Sequence, residues 1–96
     1  MVFEWDKNKD VLNQKKHGIS FGESISVFDD PDALSLYDVS HSDDEDRWVT
    51  LGLTIKGNLL VIVHMYRKHL EGERIRIISS RMADKEEEIS YYNRVR

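Results

Sequence analysis

The sequence has 96 residues, of which 40% are hydrophobic and 33% charged. These values fit one small globular domain, residues 1–96, and exclude a disordered chain. The absence of cysteine excludes a disulfide framework, a thiolate metal site and a cysteine nucleophile, and it is typical of a cytoplasmic protein. The charged first ten residues show no secretion signal, and the longest apolar run, Leu59 to Val63, is too short to cross a membrane.

The acidic residues are concentrated in one segment. The net charge is -4, yet eight acidic residues and no Lys or Arg lie between Asp29 and Asp46. The rest of the chain carries 14 basic and 10 acidic residues, a balance of +4. A domain with this distribution can present a basic face to nucleic acid. Most such charges are nevertheless ordinary solvated surface groups, and that interpretation stays open.

The N-terminal third predicts one strand and two helices. The apolar segment Val2 to Trp5 is typical of an edge strand. A helix is predicted over Lys7 to His17, because Gly18 follows at the usual left-handed stop position. A second helix begins at the capping residue Ser20 and ends before Pro31, since a proline disfavours helical geometry in the residue that precedes it.

The remaining chain predicts strands and a last helix. Alternating or continuous apolar residues predict strands. They cover 34–37, Arg47 to Ile55, Leu59 to Tyr66 and Arg74 to Ser80. Compact turns are predicted at 56–58 and 67–72. Asp84, with Glu87 three residues later, opens the last helix, whose Ile89 and Tyr92 are predicted to dock on the sheet.

This order of elements predicts an α+β fold. Successive strands joined by short turns form an antiparallel meander sheet, and the two N-terminal helices and the C-terminal helix pack on it. We expect the helices on one face, which leaves the other face, or one end of the sheet, for a ligand.

Several common chemistries lack their sequence patterns. There is no glycine-rich phosphate loop, no dinucleotide fingerprint and no G-x-S-x-G nucleophile elbow. The four histidines lack the spacing of a zinc site. We therefore expect no metal and no cofactor. The residues that remain are cations, imidazoles, carboxylates and aromatics, which are those that a metal-independent ribonuclease uses.

RNA carries its own nucleophile, the 2′-hydroxyl group. An enzyme need only remove that proton, stabilise the charged phosphate and protonate the leaving 5′-oxygen. Arginine binds phosphate, histidine or glutamate transfers protons, and aromatic rings stack on unpaired bases. The side chains that fit these roles by composition are Arg47, Arg76 and Arg81 for phosphate, His17 and His64 for protons, and Trp48 and Tyr66 for stacking.

Each of these candidates also has a purely structural interpretation. His17, next to Gly18, suits the C-terminal end of a helix, where a cation interacts favourably with the helix dipole. His64, in an apolar strand, is equally consistent with a buried core histidine. The two aromatic residues can belong to the core, and the three arginines can pair with neighbouring carboxylates or carbonyl groups.

An ordered set of short motifs resembles the BrnT family of toxins over Val2 to Tyr92. The motifs are Phe3-Glu4-Trp5-Asp6, Asn13, Lys16-His17-Gly18-Ile19-Ser20-Phe21, Val27-Phe28-Asp29-Asp30-Pro31, Glu45-Asp46-Arg47-Trp48, Gly52, Leu59 to Val63, and Arg76-Ile77-Ile78-Ser79-Ser80-Arg81. The resemblance implies a RelE-like fold and a ribonuclease toxin of a bacterial type II toxin–antitoxin pair.

The resemblance also implies partners. These are an RNA substrate and a BrnA-like antitoxin with a ribbon-helix-helix DNA-binding part. Operator DNA would be bound only through the antitoxin, and two toxins with two antitoxins would form a heterotetramer.

We infer site roles on the matched positions. The inferred catalytic residues are His17 or Glu45 as base, Arg47 and Arg81 on the scissile phosphate, and Arg76 on the developing charge; the inferred RNA-binding residues are Lys16, Trp48, His64 and Tyr66.

The sequence departs from the family pattern in three places. The last helix begins with acidic residues where the family is commonly basic: Asp84, Glu86, Glu87 and Glu88. Ser80 replaces an alanine, and the loop over 66–73 is longer than usual. The acidic net charge leaves a second hypothesis open, in which the chain is a decayed toxin that only binds its antitoxin and tunes repression of the operon.

Overall fold

The structure is a computed structural model that describes residues 1–41, 46–69 and 72–94. Within them the chain forms a mixed α+β fold of five strands and three α-helices. The strands are β1 (Val2–Trp5), β2 (Leu34–Tyr37), β3 (Arg47–Leu53), β4 (Leu59–His69) and β5 (Gly72–Met82). The helices are α1 (Lys7–His17), α2 (Phe21–Ser24), α3 (Lys85–Arg94) and two 3₁₀ helices, Ile25–Asp29 and Val39–His41.

Local side-chain hydrogen bonds define where the first helices begin and end. The Asp6 carboxylate accepts from the amides of Asn8 and Lys9 and begins α1. Gly18, at φ 70°, ends α1 in the left-handed conformation. Ser20 accepts from the amide of Glu23 and begins α2, as predicted. After one turn, α2 continues as a 3₁₀ helix to Asp29, so the second predicted helix is two short helical segments.

The capping pattern predicted for the last helix is present at α3. The amide of Glu87 donates to Asp84 at 2.8 Å, and the amide of Asp84 donates to the Glu87 carboxylate at 2.9 Å. This reciprocal pair satisfies two of the free amides at the start of the helix.

The sheet has the strand order β1-β5-β4-β3-β2. Strands β2 to β5 form the predicted antiparallel meander. Strand β1 lies at one edge of the sheet, as predicted, and pairs in parallel with β5. A short turn can join only antiparallel strands, whereas parallel strands need a long connection between them. The segment that separates β1 from β5 includes α1 and α2 and is long enough for parallel pairing.

Strands β4 and β5 are longer than predicted. The turn predicted over 67–72 is wrong at both ends, because Arg67 lies in β4 and Gly72 in β5. Val63 pairs with Ser79 and His64 with Ile77, so Ile78 is the extra residue of a β-bulge.

The helices pack on both faces of the sheet. The first face, which carries α1 and α2, buries the cluster Ile19, Phe21, Val27, Leu60, Ile62, Ile75 and Ile77. The second face, which carries α3, buries Leu51, Leu59, Val61 and Tyr91. The expectation that all helices share one face is therefore wrong. The predicted contacts of α3 are also wrong, because Ile89 and Tyr92 are about half exposed while Tyr91 is 1% exposed.

A buried polar network joins α1 to β5 on the first face. The side-chain amide of Asn13 donates to the carbonyl groups of Ile19 and Ser80, at 2.9 and 2.8 Å, and its oxygen accepts from the amide of Ser80. The hydroxyl groups of Ser80 and Ser24 are 2.7 Å apart. Buried polar groups need such partners, so Ser80, which departs from the family pattern, is matched by Ser24.

Candidate functional site

Two of the predicted phosphate-binding arginines lie on either side of one residue. Arg47 of β3 and Arg76 of β5 both pair with Met65 of β4, and all three therefore point to the second face. Adjacent strands are about 4.8 Å apart, which places the two arginine Cα atoms about 10 Å apart. Both side chains are half-buried. Two long cationic side chains at this separation can contact a single phosphate above Met65.

A second pair of arginines lies in the next row of the same face. Arg67 of β4 faces Arg74 of β5 directly. Like charges in this arrangement repel each other and favour a bound anion. Arg74 also contacts Glu4 of β1 at 3.5 Å. We refer to Arg47, Arg67, Arg74 and Arg76 as the arginine cluster.

The arginine cluster and α3 lie at opposite ends of the second face. The buried contacts of Tyr91 are with Leu51, Leu59 and Val61, near the turn between β3 and β4. Arg67 and Arg74, near the far end of β4 and β5, are exposed. These two members of the cluster are therefore accessible to a large anionic ligand.

Arg81 lies on the second face as well, but it is bound by α3. Its guanidinium group makes a bidentate ion pair with Glu87, at 2.8 and 2.9 Å. The hydrogen bond with Arg81 lowers the pKa of Glu87 despite its partial burial, and the same bond raises the pKa of Arg81. The structure thus brings Arg47 and Arg76 together on one face and holds Arg81 on a carboxylate.

The predicted proton-transfer residues are not all gathered at this face. His17 is the last residue of α1, and Lys16 precedes it, so both belong to the helix layer of the first face. His17 follows Lys15 and Lys16 in the last turn of α1, where cations interact favourably with the helix dipole. Glu45 lies outside the described residues.

The predicted RNA-binding residues Trp48, His64 and Tyr66 come together on the first face. They line one cavity of about 370 Å³, with Phe28, Ser35 and Ile75. His64 is 4% exposed, and its Nε2 lies 2.7 Å from the hydroxyl oxygen of Thr50. The Phe28 ring packs edge-on against the imidazole, with 4.9 Å between centroids.

The environment of His64 keeps its imidazole uncharged. Burial lowers the pKa of His64 to about 4, and the backbone of Met65 opposes this shift only in part. A ring that is neutral at pH 7 has no role as a phosphate cation. Tyr66, which also lines the cavity, makes a side-chain hydrogen bond with Glu73, and this bond raises the pKa of Tyr66.

Selection by composition alone missed two members of the arginine cluster. Arg67 and Arg74 carry the same signal as Arg76, because alternation along β5 places 74 and 76 on one face. Arg67 is two residues from Met65 in β4, but the sequence predicts a turn at this position. Only the true length of β4 places Arg67 on the same face as Met65.

No group of three or more His, Cys, Asp or Glu side chains is arranged to hold a metal ion in the described part of the chain. The longest described helix, α1, has 11 residues, and none that the structure describes is both long and apolar enough to cross a membrane.

Comparison with known proteins assigns the chain to a family. Comparison with curated proteins gives no significant sequence match. A family profile described as "Ribonuclease toxin, BrnT, of type II toxin-antitoxin system" matches residues 5–87, which is most of the chain. That range includes Arg47, Arg76 and Arg81, and it agrees with the motif resemblance. The chain therefore belongs to the BrnT family of ribonuclease toxins of type II toxin–antitoxin systems.

Proposed function

We propose that the chain is a metal-independent endoribonuclease that binds the scissile phosphate of RNA at the arginine cluster. The observation that carries this proposal is the cross-strand row Arg47–Met65–Arg76 on the second face. Membership of the BrnT family supplies the substrate class, RNA. The neighbouring Arg67 and Arg74 add positive charge for the flanking phosphates.

The chemistry proposed is an internal transfer within RNA. The 2′-oxygen loses its proton, forms a bond to the adjacent phosphorus, and displaces the 5′-oxygen, which takes up a proton. The products are a 2′,3′-cyclic phosphate and a 5′-hydroxyl end. Arg47 and Arg76 stabilise the charge that develops on the phosphate oxygens, and such stabilisation is usually the largest catalytic contribution.

Arg81 and His17 do not lie beside the Arg47–Met65–Arg76 row. Arg81 is a secondary phosphate ligand that must first leave Glu87. His17 lies on α1 at the first face, so we favour Glu45 as the proton acceptor because it precedes Arg47 by two residues in the sequence.

We further propose the partner and setting that the family implies. A type II toxin has an antitoxin partner. We propose a BrnA-like antitoxin with a ribbon-helix-helix DNA-binding part, a heterotetramer of two toxins and two antitoxins, contact with operator DNA through the antitoxin alone, and a cytoplasmic location.

The experiment is RNA cleavage by the purified chain in the presence of EDTA. Arg47→Ala and Arg76→Ala are expected to reduce cleavage about 100-fold each, because each removes a transition-state contact. Arg94→Ala is the matched control, since Arg94 is an exposed arginine at the end of α3. Circular dichroism checks that all variants are folded. Full cleavage by a folded variant that combines Arg47→Ala and Arg76→Ala contradicts the proposal. Activity that EDTA abolishes also contradicts it.

One observation favours the second hypothesis, a non-catalytic antitoxin-binding module. The ion pair of Arg81 with Glu87 removes one of three predicted phosphate ligands from the site. Expression of the chain without antitoxin distinguishes the two. Growth arrest that Arg47→Ala relieves supports the ribonuclease, and normal growth at a confirmed expression level supports the binding module.

A further inference from the structure

The cavity on the first face has the size and lining of a ligand pocket. Its volume of about 370 Å³ lies within the range of about 300–1,000 Å³ that is usual for small-molecule pockets. Aromatic side chains of Phe28, Trp48, His64 and Tyr66 form most of its lining. It lies across the sheet from the arginine cluster, so the phosphate chemistry proposed above does not use it.

Two ring nitrogens of the lining residues lack hydrogen-bond partners. They are Nε1 of Trp48 and Nδ1 of His64, both buried and without a partner of normal geometry in the part of the chain that is described. His64 as a whole is 4% exposed. A buried polar atom without a partner is unfavourable, so a ligand that offers a matching group is bound more tightly.

The hydrogen-bonding character of His64 is adjustable. Its Nε2 lies 2.7 Å from the Thr50 hydroxyl oxygen, which lies 2.8 Å from the hydroxyl oxygen of Ser35. Because both hydroxyl groups can rotate, Nε2 either donates to or accepts from Thr50, and Nδ1 then accepts or donates in turn. The Nε1 of Trp48 only donates. One fixed donor therefore lies beside one group of either kind, but less than 1 Å² of each nitrogen is accessible, so a ligand contacts them only after the lining rings shift.

We propose that this cavity binds one unpaired nucleobase, stacked on the lining aromatic rings and hydrogen-bonded to Trp48 and His64. A nucleobase is flat, uncharged and rimmed by donors and acceptors, and aromatic side chains bind its π-face. None of the lining residues that the structure describes is cationic, so the phosphate group remains outside. The inference rests on the proposed ribonuclease function only for the source of the base, which is RNA or a free nucleotide.

The test is a titration of the full chain with the four ribonucleosides and their 5′-monophosphates, observed by ligand NMR. At least one nucleoside is expected to bind saturably. Trp48→Phe keeps an aromatic ring at this position but removes Nε1. It should weaken binding about five- to tenfold, the effect of one lost neutral hydrogen bond. Trp5→Phe is the matched control, because Trp5 packs on Phe21 and does not line the cavity.

Further measurements identify the source of the base. A base taken from RNA predicts that the nucleoside competes with RNA and that Trp48→Phe raises KM for cleavage. A free nucleotide predicts binding without competition. Both results support the pocket.

The proposal is overturned if no nucleoside or nucleotide binds the folded chain at millimolar concentration. It is also overturned if both Trp48→Phe and His64→Phe bind as the parent does. Loss of antitoxin affinity in these variants, without any nucleoside binding, would assign the cavity to a partner side chain and reject the proposal. Arg47→Ala and Arg76→Ala should leave nucleoside binding unchanged. Rejection of the nucleobase pocket can therefore be distinguished from rejection of the proposed ribonuclease activity.

Discussion

The hydroxyl group of Tyr91 donates a hydrogen bond of 2.5 Å to the Asp30 carboxylate. Tyr91 belongs to α3 on the second face, whereas Asp30 follows the 3₁₀ helix on the first. The same carboxylate oxygen accepts from the amide of Leu53 at the end of β3. One carboxylate thus connects both helical layers to the sheet.

We expect Tyr91→Phe to lower the free energy of unfolding by about 2 kcal/mol, the usual contribution of a hydrogen bond to a charged group. Burial raises the pKa of Asp30, but its hydrogen bonds, including that of Tyr91, outweigh burial and hold the pKa below its usual value. Urea denaturation measures the change. Tyr92→Phe is the control, because Tyr92 is 51% exposed. Equal effects of the two substitutions would contradict the prediction.

Stability should decrease as the pH falls from 7 to 5, because His64 must remain neutral in the fold. Its pKa is about 4 in the folded chain and about 6.5 when unfolded, so the unfolded chain binds more protons between these values. The expected loss at pH 5 is about 2 kcal/mol. Urea denaturation at both pH values measures it. His64→Gln should remove most of this pH dependence, whereas His17→Gln, at the end of α1, should preserve it. A parent chain equally stable at both pH values refutes the account of His64.

Gly52→Ala should destabilise the fold by about 1–3 kcal/mol through overpacking. A Cβ atom at Gly52 would lie 2.8 Å from Cγ1 of Val27 and 3.1 Å from Cβ of Ala33. The 3₁₀ helix can approach β3 this closely only because the side chain is absent. Gly22→Ala is the control, since its nearest atom, the Ser20 hydroxyl oxygen, would be 3.9 Å away. Thermal unfolding compares the two, and a Gly52→Ala variant as stable as Gly22→Ala rejects the prediction.

Glu87→Gln should strengthen RNA binding by releasing Arg81 from its ion pair. One further phosphate contact steepens the slope of log affinity against log salt by about 0.7. Filter binding over a salt series, with an Arg47→Ala background to prevent cleavage, measures this slope. Glu86→Gln removes the same charge from the same helical turn and is the matched control. An equal change in both variants would show that only net charge matters.

Features set by local interactions were predictable from the sequence. Asp6, Gly18 and Ser20 define helix ends through contacts within a few residues, so their residue types identify them. The alternation along β3 similarly identified the two faces of that strand. The same alternation predicts Ile55 in the strand, but Ile55 lies beyond its end and is 90% exposed.

Features set by distant contacts were not predictable in this way. The face that α3 buries is fixed by Tyr91 and Asp30, which are 61 residues apart in the chain. The alternation along β5 separated Arg76 from the core isoleucines, but its place beside Arg47 depends on the register of both strands with β4. The grouping of Trp48 with His64 has the same origin. Single-sequence patterns contain periodicity and not register.

The parallel pairing of β1 with β5 has a consequence for synthesis on the ribosome. The first strand has no partner until 74–77 have been made, and Asn13 awaits Ser80 for its buried hydrogen bonds. Contacts between such distant segments form late, because they require closure of a long chain loop. A nascent chain that stops short of β5 lacks Arg76 and the edge that completes the sheet. Premature termination therefore yields fragments without the arginine row, and a cell gains an assembled row only from nearly full-length translation.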